Sequence, residues 1–189
     1  MNLIRLPIGK DFPNIVNAIV EIPKDSNAKY EYNVDLNMFV LDRCLISSMR
    51  YPASYGFIPQ TLSDDGDPLD ILVYNTVPII TSTLVECRIV GALQTYDCGV
   101  PDYKILGIPL YNPNQYNDIT DIDEVFLEVT ADFFTHYKNY NKKTKPVVVD
   151  KWINRENALS IIKEKHRAYT MPSDTIHKSQ VQDSRIQIS

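Results

Sequence analysis

The sequence predicts an α+β, mainly β domain, a small barrel or sandwich with two helices packed on it. Three observations carry this. Short alternating segments separated by turn residues fill the first half of the chain, two stretches of helical period follow, and no internal repeat divides it. Asn14 to Ile22 alternates, with Val16, Ala18, Val20 and Ile22 on one face and Ile15, Asn17, Ile19 and Glu21 on the other, until Pro23 ends it. Ala28 to Tyr32 repeats the pattern, so Lys29 and Glu31 share a face opposite Tyr30. Asn37 to Arg43 is a third strand. After a stretch rich in Pro, Gly, Ser and Tyr come Asp70 to Tyr74 and Leu84 to Leu93. From about Asp121 the period changes. Asp123 to Tyr137 spaces Val125, Val129, Ala131, Phe133 and Phe134 near 3.6 residues with acids in its first turns, which predicts a helix. Lys151 to Ala168 reads the same way, with Trp152, Ala158, Leu159, Ile161 and Ile162 as its apolar set.

A chain of 189 residues that is 44% hydrophobic can bury one core, so residues 1–171 are expected to form a single domain, with 172–189 a polar, flexible tail. There is no run of about 18 apolar residues and no signal-peptide pattern, which predicts a cytoplasmic protein without a membrane partner. Cys44, Cys87 and Cys98 suit neither a disulfide framework nor a zinc site. A formal charge of −5 argues against a nucleic-acid coat, which needs an excess of Lys and Arg to replace phosphate counterions.

The densest chemical signal is Asp64-Asp65-Gly66-Asp67-Pro68-Leu69-Asp70, just before the apolar run Ile71-Leu72-Val73. Four acids in seven residues are either splayed into water as an ordinary turn or neutralised by cations. Asp65 and Asp67 sit at an even spacing, and Gly66 and Pro68 can bend Asp70 toward them, giving three oxygen ligands for a hard cation. The spacing is not that of an EF-hand, since Leu69 and Asp70 fall where a ligand and a Gly are needed. Asp97 and Asp102, separated by Gly99 and Pro101, form a loop that is either plain surface or a second metal wall. Lys29, Arg43, Lys104 and Lys138 are available cations. Arg43 ends the run Phe39-Val40-Leu41 with a guanidinium suited to forked phosphate recognition. Among 12 tyrosines, Tyr51, Tyr55 and Tyr137 are candidate hydroxyl donors.

Read in order, these residues resemble the family I (soluble) inorganic pyrophosphatases of the short bacterial type. The signature Asp-x-Asp-x-Pro-x-Asp is present as Asp65-Gly66-Asp67-Pro68-Leu69-Asp70. It is flanked by Glu21-Ile22-Pro23, Lys29-Tyr30-Glu31, Asp42-Arg43, Tyr51-Pro52, Tyr55-Gly56-Phe57-Ile58, Asp97 to Lys104 and His136-Tyr137-Lys138. The resemblance implies a five-stranded OB-like barrel with helices packed on it. It implies Mg2+ as cofactor, with Asp65, Asp70 and Asp102 on the first ion, Asp70 also on a second, and Asp97 on one arriving with substrate. Glu21 and Glu31 would complete the acidic wall through waters. Lys29, Arg43, Tyr55, Lys104, Tyr137 and Lys138 would grip inorganic pyrophosphate, and Asp67 would take the proton from the attacking water. The same resemblance implies a homohexamer.

Three positions depart from the family pattern. Cys98 stands where Glu is common, Pro101 where an acidic or small residue is common, and Asp35 to Phe39 lacks a customary Gly. His136 and His166 read as packing or surface residues. Two other readings stay open. One is an OB-like module that binds nucleic acid or a phosphorylated ligand without catalysis, although its cleft candidates are mostly acidic. The other is a hydrolase of nucleotides or other phosphate esters, although no Gly-rich phosphate loop is present.

Overall fold

Strand β1 (Ile15–Ile22) buries Val16, Ala18, Val20 and Ile22 as its alternation requires, in a computed structural model that describes residues 2–112, 114, 116–138 and 146–170. The expected tail at 172–189 lies outside the described residues. β2 (Ala28–Asn33) and β3 (Met38–Cys44) form a separate hairpin. Its turn manages without glycine because Asn37 takes the left-handed conformation (φ 53°), which Asn tolerates better than other side chains. Asn33 Oδ1 accepts the Leu36 N–H (2.8 Å), and the Tyr32 hydroxyl donates to Asn37 Oδ1 (2.6 Å).

β4 (Ser54–Phe57), β5 (Asp70–Val73), β6 (Leu84–Asp97) and β7 (Val100–Pro109) join β1 in the order β1-β4-β5-β7-β6, and β6 pairs back to β1. The sheet therefore closes as a ring of five strands, the expected OB-like barrel. A sixth strand, β8 (Val148–Asn154), extends the far half of β6. Among the described strands only β5 and β7 run parallel, and beyond Asp70 and Lys104 their paired stretches, Ile71 to Val73 and Ile105 to Gly107, are apolar and buried, as strands covered on both faces are.

Along these strands the side chains alternate between two apolar clusters. Ile71, Val73, Ile89 and Ile105 pack with Ala158 and Ile162 of α2 (Arg155–Thr170). Leu72, Val90, Leu93 and Leu106 pack with Phe133 and Phe134 of α1 (Glu124–His136). The second helix starts later than its period suggests. Lys151 to Asn154 belong to β8, so Trp152 sits on a strand and donates from Nε1 to the Leu127 carbonyl of α1 (3.2 Å). α2 follows β8 with no intervening loop, which lets the helical spacing run on into the strand.

Two further strands are hidden by turn-forming residues. β4 contains Gly56, where a Cβ would lie 1.8 Å from the Ile19 carbonyl, so the close β1–β4 approach requires glycine. β7 carries Pro101 at its second position. Asp97 and Val100 face each other across a two-residue turn made by Cys98 (φ 53°) and Gly99 (φ 84°), the left-handed pair that favours a tight hairpin. The loop expected between Asp97 and Asp102 is thus a hairpin tip. Pro101 pairs only with Tyr96 there, and β5 does not join β7 until Lys104, so no sheet hydrogen bond from its missing N–H is needed on that side.

Candidate active site

The acidic turn is built from the chain inward. Ser63 N–H donates to the Asp67 carbonyl (2.7 Å), Gly66 N–H donates to Ser63 (3.1 Å), and Asp65 Oδ1 accepts the Asp67 N–H (3.1 Å). Gly66 takes φ 94°, open only to glycine at little cost. Leu69 is buried and anchors the exit: its N–H reaches Thr61 Oγ1 (2.8 Å) and its carbonyl accepts from Ile58 (2.9 Å). Asp70 then opens β5, directly beside Lys104 in the parallel β7. Asp102, two residues earlier on β7, shares the face of Lys104.

These acids line a cleft of about 290 Å³ together with Glu21, Lys29, Glu31, Tyr55, Asp97, Lys104, Tyr137 and Lys138. Arg43 is the one predicted site residue outside it. Its guanidinium is ion-paired to Asp42 (2.7 Å) and lines a smaller adjoining hollow of about 140 Å³, which shares Lys29, Tyr137 and Lys138 with the cleft. Tyr51 and Phe134 also line the cleft. Phe134 shows in the sequence only as part of a helical apolar stripe, and nothing there marks it as more than core.

Glu21 reaches the cleft through a β-bulge. β1 and β4 lose register between Val20 and Ile22, which leaves Glu21 as the extra residue and re-aims its side chain. Burial pushes its carboxyl up to about 8, although the Tyr32 N–H bonds it at 2.8 Å. Partial desolvation, with Asp65, Asp70 and Glu31 nearby, raises Asp67 above the usual carboxylate range. Asp102 is raised by burial and by Asp70, despite Lys104. Partial burial also pushes on Asp97, but Lys138 and the Cys98 side chain bonded to it hold it below the ordinary range.

Lys104 is almost wholly buried and pairs with both Asp70 and Asp102, with the rings of Tyr55 (5.7 Å) and Phe134 (5.8 Å) against its ammonium. Burial opposes its charge, yet the two carboxylates hold its pKa well above normal. Lys29 shows the same balance: Glu31 and Asp42 outweigh its desolvation. Burial beside Asp70 and Asp102 keeps the Tyr55 hydroxyl protonated and able to donate.

Seven carboxyl groups and three lysines line this cleft, so with Glu21 protonated near neutral pH its wall is still net negative by three charges. An anion could enter only with cations, and an all-oxygen donor set whose members are raised by burial and by one another's charge suits a hard divalent ion. The donors therefore fit Mg2+. Among the described residues no three acidic, His or Cys side chains are already gathered around one point, because Lys104 stands between Asp70 and Asp102 and Lys138 holds Asp97.

A closed five-stranded barrel with a cleft that opposes carboxylates to lysines and tyrosine hydroxyls defines a class of OB-like proteins fitted to small, highly charged phosphate anions. The family model described as inorganic pyrophosphatase matches residues 18–170. The inorganic pyrophosphatase of Thermus thermophilus is 40% identical over 165 residues, covering 86% of this chain and 94% of that protein. That of Synechocystis is 38% identical over 167 residues, covering 87% and 96%. The crystal structure of the Thermus thermophilus protein superposes with a TM-score of 0.87 at 39% identity, over 89% of this chain and 99% of that one. The Helicobacter pylori pyrophosphatase does so with a TM-score of 0.82 at 33% identity, over 87% and 98%. The chain belongs to the inorganic pyrophosphatase family, of the family I type that its Asp-x-Asp-x-Pro-x-Asp motif resembles.

Proposed function

We propose that this chain hydrolyses inorganic pyrophosphate to two phosphates in the acidic cleft, using Mg2+, with Asp67 as general base. The observation that carries this is the meeting of the Asp65–Asp70 turn with the Asp97–Asp102 hairpin across Lys104 in one net-negative pocket. Asp65, Asp70 and Asp102 are the residues to hold the first ion, Asp70 to reach a second, and Asp97 to help with one that enters with substrate. Glu21 and Glu31 complete the wall through waters. Bound there, Mg2+ would neutralise the anion and lower the pKa of a coordinated water from ~15.7 toward neutrality.

Asp67 suits the role of base because its carboxylate makes no ion pair among the described residues, whereas Asp70, Asp97 and Asp102 are each engaged by a lysine. Lys29, Lys104 and Lys138, with Tyr55 and Tyr137, surround the remaining volume and can grip the two phosphates. Arg43, at the adjoining hollow and paired with Asp42, would turn its fork from that carboxylate to the leaving phosphate. A nucleic-acid module is disfavoured by the same negative wall, since strand binding tracks a basic groove.

The test is phosphate release from pyrophosphate and from ATP with Mg2+, with Ca2+ and with chelator, for wild type and Asp67→Asn. Pyrophosphate turnover should need Mg2+, vanish on chelation and fall about 10²- to 10⁴-fold in the variant. Turnover indifferent to chelation or to the substitution would overturn the mechanism, and equal rates on ATP would overturn the substrate. A cytoplasmic home and a hexameric assembly belong to the same reading. The three free thiols support the first. No helix of the described residues is long and apolar enough to cross a membrane.

A further inference from the structure

One buried cation has no part in this chemistry. Lys165, on the last turns of α2, has a side chain only 6% exposed, and its ammonium donates to Asp64 Oδ1 at 2.8 Å. A second, exposed carboxylate, Glu164, lies 3.1 Å away. Burying an ammonium is unfavourable, and an apolar residue would fill this helix-to-sheet contact without that cost. The charge is therefore matched to Asp64, the residue immediately before Asp65.

The helix holds the approach to the acidic turn at three points. His166 donates from Nδ1 to the Gln60 carbonyl (2.7 Å), the Leu62 N–H donates to the Lys165 carbonyl (3.0 Å), and Lys165 takes Asp64. The contacts fall on every second residue of the segment, so two consecutive helix residues grip it along one side. The His166 ring is itself set against Phe12, with centroids 4.9 Å apart. On the other side, Thr61 ties the segment into the barrel, donating to the Ile58 carbonyl (2.6 Å) and accepting from Leu69. Of these helix contacts, the Lys165–Asp64 pair is the one that acts by charge, and it acts one residue from the acids.

We infer that Lys165 is a positioning residue, which through Asp64 sets where Asp65 and Asp67 face. The inference rests on the reading that those two acids work at the reaction. Phosphate binding should be spared, because Lys29, Lys104 and Lys138 reach the cleft from β2, β7 and the end of α1. Loss of Lys165 should therefore weaken Mg2+ binding and kcat and leave KM for pyrophosphate little changed.

The experiment compares the full chain with Lys165→Met, Lys165→Arg, Asp64→Asn and the Lys165→Met/Asp64→Asn double variant. It uses calorimetric titration with Mg2+ alone, steady-state kinetics on pyrophosphate, and circular dichroism to establish folding. Lys165→Met and Asp64→Asn should each weaken Mg2+ binding by about 10-fold, the low end for residues that orient ligands from behind. The double variant should lose no more than either single, and Lys165→Arg should recover most of the binding. Wild-type Mg2+ affinity and kcat in folded Lys165→Met would overturn the inference, as would an equal loss in Lys165→Arg, which assigns the effect to packing. If Lys165→Met does not fold, Asp64→Asn, altered at the half-exposed end of the pair, decides by the same titration. A wild type inert toward pyrophosphate, or a fully active Asp67→Asn, would instead sink the reading of the cleft, while the titration would still read what Lys165 does to the turn.

Discussion

Lys104 sets a nearly dry ammonium between Asp70 and Asp102, with Tyr55 and Phe134 closing around it. Lys104→Met would leave those two carboxylates facing each other without their cation. Breaking a buried pair in this way costs about 3–5 kcal/mol, and the residual exposure of both acids brings the expected loss toward about 3 kcal/mol. Mg2+ should recover part of it, so thermal unfolding with and without chelator should show a larger Mg2+-dependent rise in Tm for the variant than for wild type. Equal shifts in the two proteins would refute this. At this scale the sequence was informative where partners are close along the chain. The Asp65–Asp70 cluster, Lys29 with Glu31, and Asp102 with Lys104 all follow from short spacings. Arg43 shows the limit, because its fork is engaged by the adjacent Asp42, and no spacing rule says which way a side chain on an exposed hairpin turns. Lys165 gave no signal, since its partner Asp64 lies on another element.

Among the elements, the short turn Ile119–Asp121 links barrel and helices through a reciprocal cap. Asp118 accepts the Ile119 N–H (2.7 Å) and, by its other oxygen, that of Arg155 at the start of α2 (3.2 Å). Asp121 accepts from Asn117 (2.7 Å) and Asp118 (3.1 Å), and these N–H groups hold its carboxyl below the usual range. A carboxyl lowered by folding stabilises the protein above its unfolded pKa, and that stabilisation is lost as pH falls through the folded one. Denaturant unfolding from about pH 5 down to about pH 3 should therefore fall less steeply for Asp121→Asn than for wild type. Parallel curves would remove Asp121 from the acid response. Strands with unbroken alternation, β1, β2 and β3, were readable to within a residue or two. β4 and β7 were not, because Gly56, Pro101 and Gly107 look like turn formers until the close strand approach that needs them is seen. β8 was lost to the charged pair Asp150 and Lys151 and to its direct run into α2.

For the molecule as a whole, the closed barrel came from family resemblance rather than from counting strands. Five segments read as strands, but two of those were β2 and β3, which lie outside the ring. Val125 and Val129 stand exposed one turn apart on α1, and Val77 and Ile80 are exposed in the β5–β6 connection. Such apolar surface is in keeping with the proposed hexamer. Light scattering on the purified protein should return six times the chain mass of 21.7 kDa, and a monomer across dilution would refute it.

The parallel pairing of β5 with β7 also has a bearing on how the molecule is made. Asp70 and Lys104 are neighbours only because two strands 34 residues apart in sequence lie side by side, with all of β6 between them along the chain. Contacts of that range form late, since the intervening loop must close before anything is gained. Until then the acids of the turn and the lysine that balances them belong to separate pieces of chain. A half-folded or newly emerging chain would therefore carry the whole motif and yet have no cleft, so the capacity to handle a polyanion arrives only with the finished barrel.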